Sequence, residues 1–352
     1  MTTTAAPASH TASTPRRAGR WVLPGLAVAV VVALAATGVG RLLPLLGAPV
    51  AGILIGVALS GFTHRRASLA PGITFASGFV LQLAVVVLGS QLSLREVADV
   101  GLSSLPVMLG TLAACLATAY FLGRRMGIDG DLRTLIGVGT GICGASAIAA
   151  VSPVIRARST TVAYAMPTIF LFNVAAVLAF PPLGHLLHMD QEAFGLFAGT
   201  AVNDTSSVVA AATTYGAEAG NHAVVVKLTR TLMIIPVCLA LSALVARREG
   251  GDARAEVAAV EGVAGRVLRL VPWFLIGFLV VAAANSVGVV PAAAHGSLQQ
   301  ASVFLVTVAL AGIGMSTDVA GLRRAGPRPL LLGAALWAVV TGSSLLLQWA
   351  AG

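Results

Sequence analysis

Charge is what this chain has least of. Only 10% of its 352 residues are Asp, Glu, Lys or Arg, where soluble domains carry roughly 25%. With 57% hydrophobic residues and a mean hydropathy of +0.92, a water-soluble fold would have nowhere to bury its apolar surface. Lysine is almost missing: Lys227 is alone, and the other 21 of the 22 basic residues are Arg. A pI near 10.9 could suggest nucleic acid, but the arginines fall in short clusters between apolar runs, which is topology signalling and excludes a DNA-binding face. Cysteine is scarce too. Cys115, Cys143 and Cys238 all lie inside apolar segments, so buried free thiols are expected and a disulfide framework is not. No HExxH, GxSxG or Walker motif occurs, and the histidines lack metal-ligand spacing. A protease, a hydrolase and an ATP-driven pump are therefore unsupported, and no catalytic residue, metal or cofactor is expected.

What the chain does have is length of apolar run. A bilayer core about 30 Å thick needs about 20 apolar residues at 1.5 Å each. Such runs lie near 21–40, 46–62, 71–92, 101–122, 132–154, 160–181, 193–215, 222–245, 267–288, 299–316 and 328–349. The expectation is an all-α polytopic membrane protein of about eleven transmembrane helices. Arg16, Arg17 and Arg20 before the first run have the look of a twin-arginine signal, but that run is long enough to span, and a retained helix is the simpler account.

With the N-terminus in the cytoplasm, sixteen arginines fall in inside loops (16, 17, 20, 65, 66, 124, 125, 133, 247, 248, 254, 266, 269, 323, 324 and 328) and four outside (41, 95, 156 and 158). That positive-inside bias sets the orientation and puts the C-terminus outside. The expected organisation is a cytoplasmic tail 1–20, a first membrane unit 21–245, a charged cytoplasmic linker 246–266 and a second membrane unit 267–352.

An internal match points to an inverted repeat. Segment 88–98 (LGSQLSLREVA) aligns with 311–320 (AGIGMSTDVA), and each is followed at the same offset by a proline-led segment, from Pro106 and Pro329. An odd number of spans separates the copies, so they point opposite ways, as in secondary transporters.

Two spans carry residues that break helices. One holds Gly139, Thr140, Gly141, Ile142, Cys143, Gly144, Ala145 and Ser146; the other holds Gly199, Thr200, Ala201, Val202, Asn203, Asp204, Thr205, Ser206 and Ser207. Both breaks fall about 11–12 residues in, roughly 17 Å at helical rise and near the bilayer centre. A half-helix starting at Ala145 or Thr205 would present free N–H groups and a positive dipole end, an anion site to which Thr140, Ser146, Thr205, Ser206 and Ser207 could add hydroxyls. Small-residue packing is the plain alternative for the first break. For the second, Asp204 decides, because a carboxylate at mid-membrane is costly and by default functional. Asp204 could simply cap a helix, or could carry a proton or hold sodium for coupling.

Lys227 and Arg230 share one helical face near the outer end of span eight. Snorkelling to the interface would explain them. The sharper expectation is that they attract an anionic substrate, or that Lys227 pairs with Asp204. Gln82 and Asn173 read as interhelical glue.

The segments GTGICGASAIAAVSPVI (139–155), FGLFAGTAVNDTSSVVAA (194–211), VKLTRTLMIIP (226–236) and PWFLIGFLVVAAANS (272–286) together resemble the YeiH-type sulfate-exporter family of bacterial inner-membrane proteins, over about residues 20–350. The family's function is itself mostly inferred. The resemblance implies a carrier related in fold to the cation/proton antiporter and bile-acid transporter group, with inverted repeats and crossing broken helices. Its cargo would be sulfate or a sulfite-like small inorganic anion, with a proton or sodium as coupling ion. Many relatives have His where this chain has Asn203 and Glu where it has Asp204, which puts a two-group proton relay in doubt.

The residues implied for substrate binding are Gly139, Thr140, Gly141, Cys143, Gly144, Ala145, Ser146, Thr205, Ser206, Ser207, Lys227 and Arg230, with Asn203 and Asp204 for ion coupling. Partners would be the lipid bilayer, the anion and the coupling ion, with no nucleic acid; a homodimer is one assembly left open. Two rivals stand beside anion export: a cation/proton antiporter using Asp204, and a membrane sensor or scaffold without transport. One difficulty remains at this level: spans five and seven have the same parity and run parallel, whereas paired crossing helices should run antiparallel.

Overall fold

The computed structural model describes residues 18–42, 47–248, 273–316 and 326–351. Every regular element among them is helical: α1 (Ala18–Leu42), α2 (Gly47–Thr63), α3 (Ala70–Gln91), α4 (Leu94–Ser103), α5 (Leu105–Arg125), α6 (Gly130–Gly141), α7 (Ala145–Val154), α8 (Ser159–Leu186), α9 (Gln191–Ala201), α10 (Thr205–Tyr215), α11 (Ala217–Thr231), α12 (Ile234–Arg248), α13 (Trp273–Ser286), α14 (Ala292–Met315) and α15 (Pro327–Ala351).

Among the described residues seven stretches are long and apolar enough to cross a bilayer: Val22–Leu42, Ala70–Gln91, Leu105–Arg125, Ser159–Leu186, Ala217–Val245, Ala293–Met315 and Pro327–Ala350. Gly47–Thr63, Ala145–Val154 and Trp273–Ser286 are shorter apolar helices. Most of the expected 246–266 linker, and the second half of the internal match from residue 317 onward, lie outside the described residues.

Local sequence accounts for the boundaries. Ser93 and Glu96 form a reciprocal capping box that starts α4. Asp129 and Asp190 cap α6 and α9 by accepting from the backbone N–H groups of Asp131 (3.0 Å) and Ala193 (2.7 Å). Pro106 sits in the first turn of α5, where its missing N–H costs nothing. One irregularity went unforeseen: α3 contains a π-helical turn at Ala76–Val80, a device often found at functional sites.

The buried apolar side chains form three clusters. The largest joins α5 to α12 with α15, through residues such as Ile136, Phe180, Phe197 and Leu336. A smaller one joins α1, α3 and α14 around Ala33, Ile73 and Val308. The third lies between them, where Val50 and Leu310 meet Val209 and Val225. Close backbone approach holds α2 to α14: a Cβ added at Gly56 would come within 2.5 Å of the Ala311 carbonyl oxygen. This is small-residue packing of the kind that lets membrane helices associate without a hydrophobic driving force.

Candidate functional site

The glycine-rich and Asn-Asp segments interrupt their helices at the residues that form helices worst. α6 ends at Gly141 and α7 begins at Ala145; α9 ends at Ala201 and α10 begins at Thr205. Gly144 makes the first turn-back possible with φ 69° and ψ −129°, a conformation that L side chains rarely adopt. A Cβ built there would lie 3.4 Å from Cβ of Asp204, so the two breaks touch. Residues 139–146 and 199–207 are therefore spatial partners, whatever the parity of their spans.

The carboxyl ends of the first halves meet at one side chain. Lys227 donates from Nζ to the Ile142 carbonyl at 2.7 Å and to the Val202 carbonyl at 2.9 Å; these residues are the C-caps of α6 and α9. Arg230 donates from Nε to the Gly141 carbonyl at 2.7 Å. Both cations are fully buried, so snorkelling is ruled out. The reason is length: the helix begins at Ala217, about five residues earlier than its apolar run suggested, which puts Lys227 about 15 Å and Arg230 about 20 Å along it. Nor does Lys227 form a salt bridge with Asp204. Its ammonium is taken by two helix ends, each equivalent to roughly half a negative charge. One ammonium thus balances two C-termini.

The amino ends of the second halves open on a cavity of about 710 Å³. Ala145, Ser146, Asp204, Thr205, Ser206 and Ser207 line it from α7 and α10. The two helix starts differ. α10 is capped by Asp204, whose carboxylate accepts from the backbone N–H of Ser206 at 3.1 Å and also from the Ser206 hydroxyl. α7 has no side-chain cap, and its first residues, Ala145 and Ser146, are exposed to the cavity. The Ala147 N–H is taken by the Cys143 sulfur, and the N–H groups of Ala145 and Ser146, with the positive dipole end, are left for a ligand or water.

Asn173 of α8 does more than glue helices together. Its Oδ1 accepts from the backbone N–H groups of Asn203 and Asp204, at 3.2 Å each, and so fixes the extended residues of the second break. It also lines the cavity, as does Gln82, whose Oε1 accepts from Nε1 of Trp273 at 2.6 Å. Asn203 Oδ1 is buried without a partner.

Of the residues expected to bind substrate, Ala145, Ser146, Thr205, Ser206 and Ser207 share the cavity with Asp204. Gly139, Thr140, Gly141, Cys143, Gly144, Lys227 and Arg230 form the packed layer behind it; Thr140, Cys143 and the glycines 139 and 141 are buried. What the sequence reading missed was the opposite wall, where the π turn of α3 contributes Ser77 and Gly78 and α14 contributes Ile313 and Ser316. No period or motif marked Ser77 and Gly78, whereas Ile313 and Ser316 fall in the second copy of the internal match. Among the described residues no group of three or more His, Cys, Asp or Glu side chains is placed to hold a metal ion.

Apolar helices long enough to span, with two broken helices meeting at buried cations, define a multi-pass membrane protein with a polar interior site. The comparisons name its family. Residues 24–333 match the model described as Conserved hypothetical protein 698. The UPF0324 membrane protein SpyM3_0740 of Streptococcus pyogenes serotype M3 is 43% identical over 336 residues, covering 94% of this chain and 97% of that protein. SAG1125 of Streptococcus agalactiae serotype V is 40% identical over 332 residues, covering 93% and 96%. The UPF0324 membrane protein spr0034 of Streptococcus pneumoniae strain R6 is likewise 40% identical, covering 92% and 96%. The chain belongs to the UPF0324 family of membrane proteins. No solved structure matches it.

Proposed function

We propose that this chain is a secondary active transporter of the bacterial inner membrane that exports a small anion, coupled to a proton or sodium gradient through Asp204. The observation that carries the reading is the convergence of two half-helix N-termini, one uncapped, on a cavity that also holds Asp204. Two helix starts supply about one positive charge, and ionised Asp204 cancels it. Once Asp204 takes up a proton, the site carries a net positive potential and can accept an anion, so proton and anion ride together, and net export runs down the anion's own outward gradient. The sulfate- or sulfite-like cargo is the class implied by the family resemblance in the sequence.

In this reading the two broken segments and the shorter helices α2 and α13 also cross, which with the seven long stretches would make eleven crossings, with the N-terminus inside and the C-terminus outside. The inverted repeat between 88–98 and 311–320 belongs to the same reading.

One feature favours a rival. The cavity has a carboxylate and, among the described residues lining it, no Lys, Arg or His; a cation/proton antiporter would use Asp204 directly. Proteoliposomes holding the wild type or Asp204→Asn, assayed for sulfate, sulfite and sodium flux with and without a proton gradient, separate the two. Proton-coupled anion movement lost in Asp204→Asn is expected. Sodium-dependent proton flux with no anion movement would favour the rival, and no flux of any kind would leave the sensor or scaffold.

A further inference from the structure

We infer that the anion this cavity accepts carries an apolar body: a monovalent organic anion with a sulfonate or carboxylate head, in preference to a fully hydrated inorganic dianion. The inference rests on the carrier reading above and concerns only its cargo. Three observations support it.

The first is size. About 710 Å³ lies within the roughly 300–1,000 Å³ of pockets that bury organic ligands. At about 30 Å³ per water, it equals the volume of some two dozen waters. A tetrahedral oxyanion of five heavy atoms would leave most of that space as water against apolar walls.

The second is the composition of those walls. Away from the helix starts, the cavity is faced by Leu81, Met166, Phe170, Val174, Phe274 and Ile313. A hydrated ion would gain nothing from these apolar side chains. The same surface stabilises an apolar body through its burial. Phe170 and Phe274 are only part-buried, which leaves ring surface for contact, and Met166 adds a pliable thioether.

The third is charge. The lining residues described include no basic side chain; Lys227 and Nε of Arg230 bond helix-end carbonyls behind the breaks, and Arg230 Nη1 and Nη2 are buried there without a hydrogen-bond partner. A dianion would have to give up its hydration for two helix starts that together supply about one positive charge. A single negative charge matches the uncapped α7 terminus with Ser146 beside it, and an apolar substituent on that head can extend toward α3 and α13.

The test uses full-length protein in proteoliposomes with an imposed proton gradient and three probes: benzenesulfonate, methanesulfonate and sulfate. Sulfonates stay ionised and do not leak through lipid as neutral acids. Saturable, gradient-dependent benzenesulfonate flux at least tenfold more efficient than that of methanesulfonate or sulfate is expected. Phe170→Ser should weaken benzenesulfonate roughly tenfold, the equivalent of losing one good apolar contact, and so shrink its advantage over methanesulfonate. Sulfate or methanesulfonate carried as well as benzenesulfonate would overturn the inference while leaving an anion carrier in place. Flux of none of the three would overturn the carrier reading as well.

Discussion

The ammonium of Lys227 lies 2.7 Å from the carbonyl oxygen of Ile142, the C-cap of α6, and its second hydrogen bond goes to Val202, the C-cap of α9. A lysine with no exposure is thus held by backbone alone, and its partners are groups that a helix end leaves unsatisfied.

Removing that ammonium leaves two carbonyl groups without a donor in a site closed to water. Hydrogen bonds to charged groups contribute about 1.5–3 kcal/mol each, so Lys227→Met is expected to destabilise the protein by about 3 kcal/mol or more. Thermal unfolding of the detergent-solubilised protein measures this. A Lys227→Met melting temperature equal to that of the wild type would show that the two helix ends do not depend on the lysine.

Asp204 has two roles that substitution can separate. As an N-cap it is equalled by Asn, so Asp204→Asn should hold stability within about 0.5 kcal/mol, while Asp204→Ala should cost about 1 kcal/mol. As a titrating group it is equalled by neither. Proton-coupled flux should vanish in both variants, and an Asp204→Asn protein that keeps coupled flux would reduce Asp204 to a cap.

Gly144 and Gly78 make a matched pair of glycines. Gly144→Ala forces a Cβ onto a residue at φ 69°, ψ −129°, a conformation that costs of order 1–3 kcal/mol for other residues. Gly78 lies in the π turn, where an added Cβ would meet nothing within 4 Å, and Ala there should be neutral or stabilise by up to about 1 kcal/mol. Expression yield and melting temperature of the two variants provide the comparison. Equal losses would contradict the backbone geometry of the break.

Thiol labelling distinguishes the cavity from the layer behind it. Cys115, Cys143 and Cys238 are free and buried and should resist a membrane-impermeant methanethiosulfonate reagent in the folded protein. Ser146→Cys, three residues after Cys143 but facing the cavity, should react. Labelling of wild-type protein equal to that of Ser146→Cys would mean the cavity does not end at the α7 terminus.

Much of this architecture could be read from residue order because bilayer physics leaves few alternatives. Apolar length marked the helices, and the Gly-rich run at 139–146 and Asn203-Asp204 marked the breaks, since these residues are poor helix formers. Depth was harder. Lys227 was placed near the outer interface because the polar first turn from Ala217, with Glu218, Asn221 and His222, reads as loop; only packing shows that it is helix. Asn173 resembled any intramembrane amide until its carbonyl was found between two backbone N–H groups of the break. The wall made by α3 and α14 depends on contacts across more than 200 residues, which no local pattern encodes.

Because both broken helices hang from two neighbouring side chains of α11, neither can slide without dragging the other. Both are packed into the largest apolar cluster, which surrounds them. The cavity lies where that body faces α3 and α14, which belong to the separate small cluster with α1. Beside the cavity the third cluster, with Val50 and Leu310 against Val209 and Val225, ties the two bodies together. A ligand seated on the α7 terminus would therefore touch both bodies at once, the breaks on one side and Ser77 and Ser316 on the other.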